Sequence, residues 1–179
     1  MNSKFFSALA AVAIALVITP SSFAVTLSPG QFTAGVKAAV GTKTGTAAYK
    51  AAAKYFKTAL SDPKNKKNVI SYTTSVIAAL KKPVASSLQV KARASLADAL
   101  TQGYFTKLAY NPQDAKFVTS LKKLITTLPG SLKTSAAAQT IATPVLNYNT
   151  KKGGGATGIN FINDTIYNAA GQTPPKPVS

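Results

Sequence analysis

The chemistry open to this chain is narrow. It has no histidine, no cysteine and no tryptophan, and its four acids are all aspartates: Asp62, Asp98, Asp114 and Asp164. Thiol catalysis, disulfides, imidazole acid–base work and metal ligation through His or Cys are therefore excluded. What remains is hydroxyl, amine and carboxylate chemistry. Ser120 and Lys123 stand at Ser-x-x-Lys spacing, one helical turn apart, where an amine can serve as base for a serine nucleophile. The Lys43-Thr44-Gly45 triplet that should follow such a serine precedes it here. The spacing arises easily in a helix rich in serine and lysine, so no catalytic residue is assigned. The aspartates are scattered rather than spaced as a calcium loop, and neither a metal nor a cofactor is expected. Asp62 reads as a helix cap and Asp114 as a first-turn helix residue.

Lysine is the side chain present in excess. Lysine and arginine total 21 against four acids, a formal net charge of +17. Three groups stand out as candidate anion-binding residues: Lys50, Lys54 and Lys57 as a stripe, Lys64, Lys66 and Lys67 at a helix start, and Lys122 and Lys123 within a helix. Lysines at a helix start oppose the macrodipole, so the 64–67 group has no helical purpose and is consistent with a partner. Arg93 is the only arginine. Lysine acts as a point charge, whereas bidentate reading of bases or phosphates uses arginine. An anionic polymer or a lipid surface is therefore the expected partner, and specific nucleic-acid recognition is not. Lys151-Lys152-Gly153-Gly154-Gly155 lacks the Gly-Lys-Ser/Thr ending of a phosphate loop and reads as a flexible loop. Tyr49, Tyr55, Tyr72 and Tyr104 lie on or near basic helices, where stacking on sugars or single strands competes with packing in the core.

The elements that would hold these residues are all helical. Ser28-Pro29 opens a short helix as N-cap and first helical residue. Residues 46–61 place Ala48, Ala52, Tyr55, Phe56 and Ala59 on one face and the lysine stripe on another. Asp62-Pro63 starts the next helix, 64–80, and residues 84–101 form a third, with Gly103 as its stop. A short helix holds Tyr104, Phe105 and Leu108. Asn111-Pro112 then starts a helix with Phe117, Val118, Leu121, Leu124, Ile125 and Leu128 as its stripe. Residues 131–148 are alanine-rich and broken or kinked at Pro144, and 159–169 form a last amphipathic segment. No alternating strand pattern appears. The expectation is a single compact all-α domain of about six or seven helices spanning 25–172, followed by a disordered Pro-rich tail at 173–179.

Two stretches align without a gap at an offset of 49 residues, with six identities in 17 positions: Tyr55/Tyr104, Phe56/Phe105, Pro63/Pro112, Lys67/Lys116, Val69/Val118 and Ser71/Ser120. An aromatic pair followed by an Asx-Pro cap suggests a divergent two-fold helical-pair repeat, with units near 47–95 and 96–148 that stack on each other.

Residues 1–24 have the form of a cleavable signal peptide. Lys4 is the charged start, 8–18 an apolar run too short to span a bilayer, and Ser22-Phe23-Ala24 a small-x-small cleavage site. Cleavage would remove Lys4 and bring the net charge from +17 to +16. The expectation is a periplasmic or secreted protein with no transmembrane segment after cleavage. Its role would be non-catalytic, binding or structural, in contact with anionic envelope or extracellular material. A membrane-active, toxin-like protein and a small hydrolase are the alternatives.

Overall fold

The computed structural model describes residues 26–179, so the signal-peptide reading of 1–24 lies outside the described residues. Within them the chain forms seven α-helices: α1 (Pro29–Val40), α2 (Gly45–Ser61), α3 (Val69–Lys81), α4 (Gln89–Tyr104), α5 (Ala115–Thr126), α6 (Ser135–Lys151) and α7 (Gly155–Ala170). No strand occurs among the described residues. The all-helical reading of the sequence holds.

Local chemistry accounts for most boundaries. Ser28 caps α1 in a reciprocal capping box with Gln31, and Pro29 occupies the first turn. Asp62 accepts from the Lys64 amide at 2.9 Å, but the segment it starts, Pro63–Asn68, is a 3-10 helix, and α3 begins only at Val69. Asn65 explains the change. It is turned wholly inward, donates to the Ala59 carbonyl at the end of α2 and accepts from the Leu27 amide. Through these bonds it ties the 3-10 segment to Leu27 and to the end of α2.

Two further boundaries differ from the sequence reading. Asp114 is the N-cap of α5, accepting from the Lys116 and Phe117 amides at 3.0 Å, while Asn111 closes the preceding turn by accepting from Gln113. Gly103 does not stop α4, which runs through to Tyr104. It is a packing glycine: a Cβ there would lie 2.8 Å from the Lys57 carbonyl oxygen and 2.9 Å from the Leu60 Cβ.

The helices pair and stack. α2 packs with α3, α4 with α5, and α6 with α7, while α4 also lies against both α2 and α6, and α5 against both α3 and α7. α1 closes one end, against α2 and α3. α2 and α4 run parallel, with Gly45 near Leu88 at one end and Leu60 near Gly103 at the other. The offset of 49 does not match this arrangement. α2 and α4 start at Gly45 and Gln89, and α3 and α5 at Val69 and Ala115, spacings of 44 and 46 residues. The aligned residues accordingly differ in place: Tyr55 sits within α2, while Tyr104 ends α4.

The glycine run at 153–155 is a tight turn rather than a loose one. Gly154 donates to the Asn149 carbonyl at 2.9 Å, and Gly153 and Gly155 take positive φ. The fully buried Asn149 side chain occupies the space where a Cβ of Gly154 or Gly158 would stand. α6 runs unbroken through Pro144. The Pro-rich tail, expected to be disordered, lies extended against α7: Asn160 accepts from the Val178 amide at 2.8 Å and donates to its carbonyl at 3.1 Å.

Gly103→Ala adds helix propensity but forces a methyl into the backbone of α2, so it should destabilise the fold by about 1–3 kcal/mol in urea unfolding. Gly130→Ala, where nothing lies within 4 Å, should change it by less than about 0.5 kcal/mol. Equal effects at the two positions would count against close α2–α4 packing as the cause.

Candidate anion-binding surface

The alanine face of α2 is buried against α1, α3 and α4 together, and that burial decides where the lysines go. Ala48, Ala52, Phe56, Ala59 and Leu60 are in the core, so Lys50, Lys54 and Lys57 are left exposed along the outer face. They follow one another at intervals of four and three residues, a row about 10 Å long at the helical rise. The row borders a groove of about 530 Å³ between α2 and α4, floored by Ala53, Ala94 and Ala99 and reaching Pro144 on α6.

One acid enters this groove. Asp98 accepts from Gln102 Nε2 at 2.6 Å, and Gln102 Oε1 in turn accepts from Lys57 Nζ. The sequence neighbours Lys91 and Arg93 play no part in this chain of bonds. Asp98 is thus matched by a single relay to Lys57, and Lys50 and Lys54 stand beside it with their positive charge directed along the same face.

The remaining candidates divide. Lys64 and Lys67 are exposed on the Pro63–Asn68 segment. Lys66, grouped with them by sequence, is only 5% exposed. Its Nζ donates to the Tyr104 and Thr106 carbonyls at the end of α4 and lies over the Tyr104 ring. It therefore serves as a C-terminal cap for α4 rather than as a surface cation. Burial pushes its pKa down to about 8, against the pull of Asp62 and with some help from Lys107. Lys122 is exposed and Lys123 half-buried on α5, which belongs to the α3–α5–α7 layer and not to the layer that carries the α2 row. The eight lysines do not form one patch.

The Ser-x-x-Lys pair and two of the aspartates are placed as follows. Ser120 Oγ is fully buried and makes no hydrogen bond, so it is not paired with Lys123. Asp62 and Asp114 are engaged as caps, and no group of three or more metal-type ligands occurs among the described residues. Tyr72 and Tyr104 are buried, which removes them as stacking platforms, while Tyr49 and Tyr55 are half-buried.

Sequence reasoning missed Arg93, Asn65 and Asn149. Arg93 reads as one more surface cation, but it is 2% exposed, donates to Thr127 Oγ1 at 2.7 Å, and is pushed down to about 10 by burial. Asn149 accepts from the Tyr110 hydroxyl at 3.0 Å. Their helical register gave a weak signal: Arg93 follows Gln89 and precedes Leu96 and Leu100 on the buried side of α4.

These burials set the response to alkali. Tyr55, Tyr72, Tyr104, Tyr110 and Tyr148 are all held above the ordinary phenol value, chiefly by burial, with Tyr110 pushed up to about 12. Unfolded tyrosines ionise first, so stability is lost as pH rises past 10. Lys66 and Arg93 have the opposite sign. The folded chain releases the Lys66 proton from about pH 8 and the unfolded chain near 10.5, and Arg93 loses its proton from about 10, below its unfolded value. Each therefore adds stability as pH rises, with the five tyrosines outweighing Arg93 above pH 10. Melting temperature should therefore rise from pH 8 to 10 and fall beyond it, with tyrosinate absorbance appearing together with unfolding. Lys66→Met should remove the part of the rise due to Lys66; an unchanged profile in that variant would show that Lys66 titrates normally.

Compared with protein-family models, with curated proteins and with solved structures, the chain matches none of them.

Proposed function

We propose that this is an exported, non-catalytic helical scaffold that holds anionic polymer of the cell envelope or its surroundings through the lysine row on α2. The observation that carries the reading is the Lys50, Lys54 and Lys57 row beside an alanine-floored groove, in a chain with 21 basic residues and four acids. A row of point charges along a helix suits a repeating anion, whose successive charges meet successive lysines without any demand on sequence. Export follows from the form of residues 1–24 and gives the charge its setting outside the cytoplasm.

The apolar faces of the basic helices support binding rather than membrane lysis. Those of α2, α4 and α6 are already buried against their neighbours, and no described helix is long and apolar enough to cross a membrane. A lytic helix needs a free apolar face to insert.

Polyphosphate or heparin at a hundredfold excess over Kd should stabilise the fold by about 2.7 kcal/mol, on the order of 5–10 °C in melting temperature. The effect should fade with added salt. Replacing Lys50, Lys54 and Lys57 with glutamine should abolish most of it while leaving the melt of the free protein in place. If the triple variant is stabilised as strongly as the parent, the row is not the binding site, and a flat melting temperature with both polyanions would reject polymer binding altogether.

A further inference from the structure

Leu108 is out of place. Among the described residues only two large apolar side chains are exposed, Leu108 at 45% and Val178 in the C-terminal tail. Leu108 sits in the turn that follows α4, and that turn is held rigidly. The Lys66 ammonium binds the Tyr104 and Thr106 carbonyls from behind, Leu108 donates its amide to the Phe105 carbonyl, and Lys107 is fixed in the left-handed region at φ +58°. A lysine adopts that conformation only at some expense in energy. The backbone is thus built to present Leu108 outward rather than left to expose it by looseness.

Its surroundings are amphipathic. Phe105 packs edge-on against Tyr110 at 4.9 Å, Tyr110 against Tyr148 at 5.4 Å, and the Lys152 ammonium lies 5.5 Å from the Tyr148 ring centre. Both tyrosines are half-buried. Exposed lysines come from each connection at this end of the stack: Lys67 from the Pro63–Asn68 segment, Lys107 from the α4–α5 turn, and Lys152 from the α6–α7 turn. The carboxylates here, Asp62 and Asp114, are occupied by backbone amides at 2.9 and 3.0 Å.

We infer that this end of the stack is a docking face for anionic lipid headgroups, with Leu108 as its apolar anchor. Leucine enters the acyl boundary, tyrosines rest at headgroup depth, and lysines meet the phosphates. A soluble polyanion would use the lysines and leave Leu108 in water; a lipid surface uses both. The inference goes beyond the α2 row and does not depend on it.

The test is co-sedimentation of the exported, processed protein with vesicles of phosphatidylcholine containing phosphatidylglycerol, and with phosphatidylcholine alone. The protein should partition only onto the anionic vesicles, and less so at high salt. Leu108→Glu should weaken partition at least tenfold. Each lysine near an anionic surface strengthens binding about fivefold, so Lys107→Gln with Lys152→Gln should weaken it about twenty-five-fold. Both changes lie on exposed side chains, and unchanged thermal melts would confirm intact folds. A fluorophore on Leu108→Cys should shift to the blue on anionic vesicles, while one on Thr140→Cys, exposed in the middle of α6, should not. The inference is overturned by absence of partition, by equal partition of Leu108→Glu, or by a dimer that Leu108→Glu dissolves, since a second copy would then be what covers the leucine. Lipid partition that survives in the Lys50, Lys54 and Lys57 variant would separate this face from the polymer-binding row.

Discussion

The close approach of α2 and α4 is the constraint on which the rest of the molecule turns. α2 is bound to α1 and α3, and α4 to α5 and α6, so their contact joins the two ends of the stack. It is made by small residues, with Gly103 lying so near Lys57 and Leu60 that a single methyl would collide. Small faces bring helix axes together and maximise dispersion contact per residue, at the loss of any tolerance for larger side chains. In a chain without cysteine, that contact has no covalent support. The same burial fixes the α2 lysines outward, so the joint that holds the fold also places the candidate binding row.

Around this joint the chain uses buried polar side chains to fix how segments meet. Asn65 ties the N-terminal strand of backbone at Leu27 to the end of α2, Tyr72 adds a bond to the Leu27 carbonyl, and its ring stacks on Phe32 at 4.1 Å. Lys66 satisfies carbonyls that α4 leaves open at its end. Asn149 does similar work for the α6–α7 turn, where glycine is required because the asparagine fills the space beside it. Each of these groups would be costly to bury unpaired, so each also penalises any packing that separates it from its partner.

The charge has two characters as a result. Two cations among the described residues, Lys66 and Arg93, are internal and bonded to neutral oxygen acceptors rather than to acids. The others lie on the surface, where only Asp98 among the acids enters the lysine-lined groove. Most of the excess positive charge therefore acts as a surface field.

The helical class, the capping of α1 by Ser28, the amphipathic face of α2 and the absence of thiol or imidazole chemistry are legible in the residues alone. These follow from residue type and from the 3.6-residue period, which are local properties. Which lysines are surface charges depends on how the helices pack. Lys64, Lys66 and Lys67 look alike in a row, and nothing local says that the middle one reaches the carbonyls of a helix almost forty residues away. The same holds for Gly103, whose place in a helix makes sense only beside Lys57, and for Asp114, the N-cap of α5, whose carboxylate also accepts from the Tyr104 hydroxyl. A side chain's partner across the stack is set by how the helices pack, and that is a property of the whole chain.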